Sequence, residues 1–142
     1  FTPADGVDLG IAVATRTGGL VTPRIVGAQD LDLHGLMAHL TDLVKRAKAG
    51  RLKATELQPG SITVSSLADG GPDALYGVIY PPQVALVGIG GLAQRPWVVD
   101  GQLAVRSTVP VTLAADHRAT DGRTGARFLT AFGQALTHPE EL

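Results

Sequence analysis

The sequence contains no cysteine. That removes disulfides, thiolate-bound zinc and a cysteine nucleophile together, and it suits a reducing compartment. A basic surplus is also missing. Lys+Arg number 12 against Asp+Glu 13, for a net charge of −1, which argues against a chain built mainly to neutralise phosphates of nucleic acid. No long hydrophobic run is present: the longest, around Val84–Ile89, is far too short to span a bilayer. The N-terminus has no basic stretch followed by an apolar one, the pattern of a secretory leader. There is no internal repeat and no low-complexity tract. What remains is 142 residues, 44% hydrophobic and 18% charged, the make-up of one folded domain with a real core. The chain opens on Phe1 rather than Met, as an internal piece of a longer polypeptide would.

Two helices are predicted. Leu33, Leu36, Met37, Leu40, Leu43, Val44 and Ala47 recur at helical spacing over Leu33–Lys48, with Asp30 or Asp32 to cap the start and Gly50 to stop it. A second helix is expected from about Asp121 to Leu136, burying Ala126, Phe128 or Leu129, Phe132 and Leu136. Runs rich in Val, Ile and Leu predict strands at Val7–Thr15, Leu20–Val26, Ser61–Ser66, Val84–Gly90 and Thr108–Ala115. Pro96–Ser107 reads as a hairpin turning at Asp100-Gly101, a pair that tolerates positive φ. Helices interspersed with strands imply a mixed α/β sheet. Breaks fall at Ala68–Asp73 and Pro81-Pro82.

Two segments can carry chemistry. In D-H-R-A-T-D-G, Asp116–Gly122, a histidine stands between a strand and a helix, where its ring can face a cleft and act as a general base near neutral pH. Spacing alone equally allows His117 to tie a turn together while Asp121 caps the helix. In S-I-T-V-S-S-L, Ser61–Leu67, a hydroxyl at a strand end can donate to a developing oxyanion, or be a solvated loop serine. A Gly-rich loop, Ala68-Asp69-Gly70-Gly71-Pro72, follows. Three of the arginines, Arg16, Arg24 and Arg118, are equally compatible with a plain solvated surface. His34 and His39 lie five apart on the first helix and so on different faces, which disfavours a metal site.

The order of these pieces is more specific than either alone. L-G-I-A-V-A-T, G-G-L-V-T-P-R-I, a helix ending in A-G-R-L, S-I-T-V-S-S-L, P-P-Q-V-A-L-V-G-I-G and D-H-R-A-T-D-G-R-T-G-A-R-F-L together resemble the C-terminal part of the catalytic domain of 2-oxoacid dehydrogenase acyltransferases, the E2 components of those complexes. His117 follows Ser65 by fifty-two positions, which fits that family's layout.

The resemblance implies a chloramphenicol-acetyltransferase-like fold, a mixed sheet with helices on one face, in a two-layer α/β arrangement. It implies a homotrimer with active sites between subunits, a larger cubic or icosahedral core, E1 and E3 components as partners, and no role for nucleic acid or membrane. His117 would deprotonate the thiol of CoA or dihydrolipoamide, Ser65 would hydrogen-bond the oxyanion and Asp121 would hold the His-bearing turn. Ser66 would lie near the reactive end of CoA, with Gly90 and Leu92 along its channel. CoA would be a substrate, the lipoyl-lysine would ride on a domain outside these residues, and no metal is needed. The compartment would be the bacterial cytoplasm or the mitochondrial matrix.

The same resemblance implies a further N-terminal part of the catalytic domain, with a first helix, an early strand and more CoA-binding residues, besides lipoyl and subunit-binding domains upstream. Ala14 stands where the family commonly has an acid, and A-D-G-G-P-D-A-L is more acidic than its usual loop. No cationic cluster for a second carboxylate stands out, which favours acetyl or branched-chain acyl groups over succinyl. A catalytically silent core domain is the alternative. A serine hydrolase is disfavoured by the lack of a G-x-S-x-G elbow, and a condensation domain by Asp116, which sits where those carry a second histidine.

Overall fold

The computed structural model describes residues 2–67 and 71–141. Ala68, Asp69 and Gly70 of the Gly-rich loop lie outside the described residues.

Helix α1 spans Leu33–Lys48, as its apolar spacing predicts. Asp32 caps it, accepting from the Gly35 N–H at 2.7 Å. Lys45, Arg46 and Lys48 sit in the last turn, where cations complement the helix dipole. Helix α2, Gly122–Thr137, is capped by Asp121. Its burial departs from expectation. Gly125, Leu129, Phe132 and Ala135 are half-buried, whereas Ala126, Phe128 and Leu136 are exposed. The helix lies along an outer strand of the sheet, so only a narrow stripe of it meets the protein.

Nine strands form: β1 Leu9–Ile11, β2 Val13–Ala14, β3 Leu20–Val21, β4 Arg24–Ile25, β5 Ile62–Ser66, β6 Ala85–Ile89, β7 Ala93–Val99, β8 Gln102–Thr108 and β9 Val111–Ala115. Three predicted strands are each cut in two. Val7–Thr15 leaves the main sheet after Ile11 and re-pairs with β3 from Val13. Pro23 and Pro110, which have no N–H to give a ladder, interrupt the other two. The β7–β8 hairpin turns where expected. Asp100 and Gly101 have φ of 50° and 77°, the left-handed pair that matches strand twist in a two-residue turn.

The main sheet has the order β4-β1-β5-β6-β9. β1, β5 and β6 are mutually parallel, and the outer strands β4 and β9 are antiparallel to them. Paired residues share a face. Leu9, Ile25, Val64, Val87, Leu113 and Ala115 belong to one face, and Ile25, Ala85 and Val87 are among the buried core. α2 rests on this face, so close that a Cβ on Gly125 would lie 3.3 Å from Leu113 Cδ2. α1 packs on β2, whose Val13 continues the same parity. Across the opposite face runs the extended segment 73–80. Its backbone lies directly on glycine: the Leu75 carbonyl abuts Gly88 and accepts from the Thr112 hydroxyl, and the Asp73 carbonyl abuts Gly90. No helix among the described residues is long and apolar enough to cross a membrane.

A polar clasp fixes α1 to the segment leading into β5. The Arg46 guanidinium grips Glu56 with two bonds of 2.6 and 2.8 Å and also reaches Asp42 at 2.7 Å. The Glu56 carboxylate accepts from the Lys53 N–H at 2.8 Å, and its carbonyl accepts from the Arg24 N–H. Arg24 in turn holds Asp8 at 2.7 Å. Arg46, with Lys53 assisting, holds the Glu56 carboxyl at about 2.

Two outcomes follow from these contacts. Because the folded-state value of Glu56 lies below its ordinary one, its stabilisation is present above pH 4.5 and fades as pH falls toward about 2. Glu56→Gln is expected to lower the melting temperature at neutral pH and to flatten the acid limb of the stability curve over that window. An unchanged limb would refute the clasp. Gly90→Ala must push the Asp73 carbonyl away, and a loss of about 1–3 kcal/mol or more is expected in denaturant titration. A neutral result would show that segment 73–80 yields freely.

Candidate active site

β9 delivers His117 to the first turn beyond the sheet. The Asp116 N–H donates to the Val84 carbonyl at 2.8 Å, and the Asp116 carbonyl accepts from Ala119 and Thr120, closing a turn with His117 on its outside. The Asp116 carboxylate is taken by Arg118. It accepts from the Arg118 Nη2 at 2.7 Å, the backbone N–H at 2.9 Å and Nε at 3.0 Å. That guanidinium, with the N–H, holds the Asp116 carboxyl at about 2. This Asp116–Arg118 lock was not read from the sequence, although opposite charges two apart in a turn are its signal.

His117 is exposed and its imidazole makes no hydrogen bond among the described residues. It stands at a cavity of ≈ 360 Å³ walled by Leu113, Ala115, Gly125 and Leu129, with Asp121 on the same rim. Asp121 faces the helix. Its carboxylate accepts from the Thr124 N–H at 2.7 Å. That bond is the main reason its carboxyl falls below the ordinary range, with the Thr124 hydroxyl and the nearby His117 contributing. The capping role is therefore realised, with Asp121 also in electrostatic contact with His117. A wider depression of ≈ 760 Å³ lies on the outer face of α2, lined by Arg123, Arg127 and Phe128 among others. It holds no histidine or carboxylate and thus no base near neutral pH.

Ser65 and Ser66 end β5 and pair with Gly88 and Ile89. Gly90 follows directly, buried against Asp73, while Leu92 is exposed. These four residues share one end of the sheet. They are not near His117. β9 runs against β6, so Ala115 pairs with Ala85 while Ser65 sits beside Gly88. The offset is about 10 Å along the strand and about 10 Å across two strand spacings, and His117 lies two residues further out. Ser65 also projects from the face opposite Leu113. One chain therefore brings His117 to Asp121 and gathers Ser65, Ser66, Gly90 and Leu92, but it does not join the two groups. A Ser-His-Asp triad within one chain is ruled out by the same geometry. Among the described residues, no three histidines or carboxylates converge as a metal site would require.

Residues 3–142 match the family model for the 2-oxoacid dehydrogenases acyltransferase (catalytic domain). The chain is 37% identical over 135 residues to the dihydrolipoyllysine-residue acetyltransferase component of the pyruvate dehydrogenase complex of Rickettsia felis, over 95% of this chain and 32% of that protein. It superposes with a TM-score of 0.86 and 32% identity on dihydrolipoamide acetyltransferase of Azotobacter vinelandii, over 98% of this chain and 58% of that one. That structure was determined to study one serine, one histidine and one asparagine in the catalytic mechanism. A TM-score of 0.86 with 31% identity, at the same coverages of 98% and 58%, relates it to the cubic core of a pyruvate dehydrogenase multienzyme complex. The chain thus spans about a third of the Rickettsia protein and less than two thirds of either solved chain. Its layered sheet and helices have the chloramphenicol-acetyltransferase-like fold of those domains. By sequence and by fold, the chain belongs to the catalytic-domain family of the 2-oxoacid dehydrogenase acyltransferases.

Proposed function

We propose that the chain is the acyl-transfer part of a dihydrolipoamide acyltransferase, moving an acetyl group between lipoyl-lysine and CoA. One observation carries the reading. His117 follows Ser65 by fifty-two positions and Asp121 follows His117 by four. The serine, histidine and asparagine studied in the Azotobacter enzyme have the same two intervals. In this chain the serine and histidine stand too far apart to serve one carbonyl, so a second copy must complete each site. A homotrimer satisfies that requirement, and the relative that forms a cubic core supports a larger assembly. E1 and E3 would be its partners in the complex, and the lipoyl-lysine would ride on a domain outside these residues. The names of the relatives favour acetyl as the group transferred.

The chemistry follows from the two residues. The His117 imidazole takes the proton of the incoming thiol, and the thiolate attacks the thioester carbonyl. The carbonyl electrons move onto oxygen, where the Ser65 hydroxyl of the neighbouring copy donates a hydrogen bond. Collapse of the tetrahedral species expels the second thiolate, which recovers the proton from His117. No acyl-enzyme is needed, because both thiols meet in one complex and positioning supplies much of the gain. Asp121, bound to the helix N-terminus, fixes the turn that carries His117. Ser66, Gly90 and Leu92 lie along the CoA side.

The test is acyl transfer from acetyl-CoA to dihydrolipoamide by the full-length parent chain. His117→Ala is expected to lower kcat by about 10²–10⁴-fold, and Ser65→Ala by about 10²–10³-fold, both with little change in assembly. Co-expression of the two variants is expected to restore part of the activity, since a mixed oligomer rebuilds sites holding both native groups. Unchanged rates in both variants would remove His117 and Ser65 from the chemistry, and an assembled wild type without turnover would point to a silent core. No recovery in mixed oligomers would sink the shared site.

Asp121 gives a separate expectation. Asn is as good a helix cap as Asp, whereas Ala loses about 1 kcal/mol. Asp121→Asn should keep most of the stability and activity, and Asp121→Ala should lower both. Equal losses in the two would assign the role to the carboxylate charge instead.

A further inference from the structure

The turn that carries His117 sends its side chains into two different hollows. His117, Thr120 and Asp121 line the cavity walled by Leu113 and Leu129. Asp116, Arg118 and Ala119 line a separate hollow of ≈ 400 Å³ with Pro82 and Val84. No residue lines both. Asp116 and Arg118 therefore flank His117 in sequence and meet each other on the side away from its cavity. Their contact has a defined shape. The guanidinium presents its side edge, with Nε 3.0 Å from Oδ1 and Nη2 2.7 Å from Oδ2, while the Arg118 backbone N–H reaches Oδ1 at 2.9 Å. Two parallel donors on a planar fork fix direction as well as distance, which an ammonium group does not.

Global stability does not account for this pair. The Arg118 side chain is 87% exposed and that of Asp116 25%, and an ion pair so open to water adds little to folding. Its effect is local. The His117 imidazole makes no hydrogen bond among the described residues, and the Asp121 carboxylate is taken by the Thr124 N–H. The ring's place is thus set by the main chain of residues 116–120. That chain is tied by the Asp116 N–H to the Val84 carbonyl, and by the Ala119 and Thr120 N–H groups to the Asp116 carbonyl. The Arg118 fork adds a side-chain tie that closes across the residue bearing the ring. A reacting group needs such supporting contacts to stay in a productive geometry. We propose that Arg118 is a positioning residue for the general base: by holding Asp116 across His117, it fixes the turn from which the imidazole enters the shared site, and it touches neither thiol substrate. The assignment rests on the acyl-transfer reading above and adds to it a residue that acts through the backbone.

The test uses the assembled full-length chain, with two readouts: acyl transfer between acetyl-CoA and dihydrolipoamide, and amide hydrogen exchange of the turn. Arg118→Gln is expected to lower kcat by about 10–10²-fold, the scale of a small misplacement of a reacting group. KM for both thiols, the oligomeric state and the melting temperature should stay in place. Exchange at residues 116–120 should quicken several-fold while that of α1 is unchanged. Arg118→Lys, which keeps the charge and loses the fork, should recover little of the rate. Asp116→Asn should cost a similar factor, and adding Arg118→Gln to it should cost little more, since both remove one contact. In a His117→Ala background, Arg118→Gln should lower the residual rate no further. A raised KM for CoA with kcat kept would make Arg118 a ligand contact. Full recovery by lysine would make charge sufficient, and additive loss on His117→Ala would place its action elsewhere. Each of these overturns the proposal. So does wild-type kcat in Arg118→Gln, which leaves the acyltransferase standing when His117→Ala alone loses the rate. An assembled wild type without turnover instead removes the acyl-transfer reading, and with it the base to be placed.

Discussion

The directions of two strand pairings constrain everything else the domain can do. β6 runs parallel to β5 and antiparallel to β9, so the end of β5 and the exit of β9 lie at opposite ends of the sheet. Ser65 occupies the first and His117 the second. No rotamer change spans a separation made of three strand residues and two strand spacings. An oxyanion donor and a proton acceptor must both reach one reacting carbonyl, so a site that uses this pair has to be shared between copies. For such a shared site, assembly would be a condition of the chemistry. The surface agrees with that requirement. Tyr76, Val78 and Tyr80 alternate outward along segment 73–80, exposed by 82%, 87% and 73%, an apolar row that a lone soluble domain seldom keeps.

Segment 73–80 shows how the same sheet is closed on its other side. Leu75 and Asp73 bring main-chain oxygen against Gly88 and Gly90, an approach that any Cβ would block. The glycines of V-G-I-G are thus spacing elements between two layers of backbone, and Thr112 adds a hydroxyl donor to the Leu75 carbonyl. This seam also positions the end of β6 beside Ser65 and brings the Asp73 carboxylate within 2.9 Å of Arg95 Nη2 on β7. Backbone packing and the charge pattern of the hairpin therefore depend on one another.

Local signals were well written in the sequence. The stripe from Leu33 to Ala47, the basic last turn and Gly50 marked α1, and Asp100-Gly101 marked the hairpin turn. Asp121 was legible as a cap because a short acceptor before a helical run has few other uses. What the sequence concealed was non-local. Pro23 and Pro110 lie within apolar runs that read as continuous strands, and only the partner strands show where pairing stops. The exposed side of α2 was hidden because periodicity identifies an apolar stripe without saying how much of it the isolated chain covers. In the site, the two motifs were located correctly by their residues, but chain order carries no information about strand direction. Nothing in S-I-T-V-S-S-L or D-H-R-A-T-D-G says that the two face away from one another. The pairing of Arg95 with Arg106 across the hairpin was available in principle, since a two-residue turn at Asp100-Gly101 fixes every pair up the hairpin.

The turn around His117 also commits both neighbouring acids to other donors. Asp116 is bound by Arg118 through three donors, and Asp121 by the N–H of Thr124 at the start of α2. Both carboxyls are pulled below their ordinary range by those donors, so near neutral pH each is an anion with little tendency to take a proton. Each is also occupied, Asp116 by the Arg118 guanidinium and Asp121 by the backbone N–H of Thr124. His117 is left with its nitrogens uncommitted among the described residues, beside a cavity, on a turn that the two acids make rigid. In D-H-R-A-T-D the two carboxylates therefore serve as scaffold, so a change in either acid would disturb the turn that carries His117 through its geometry.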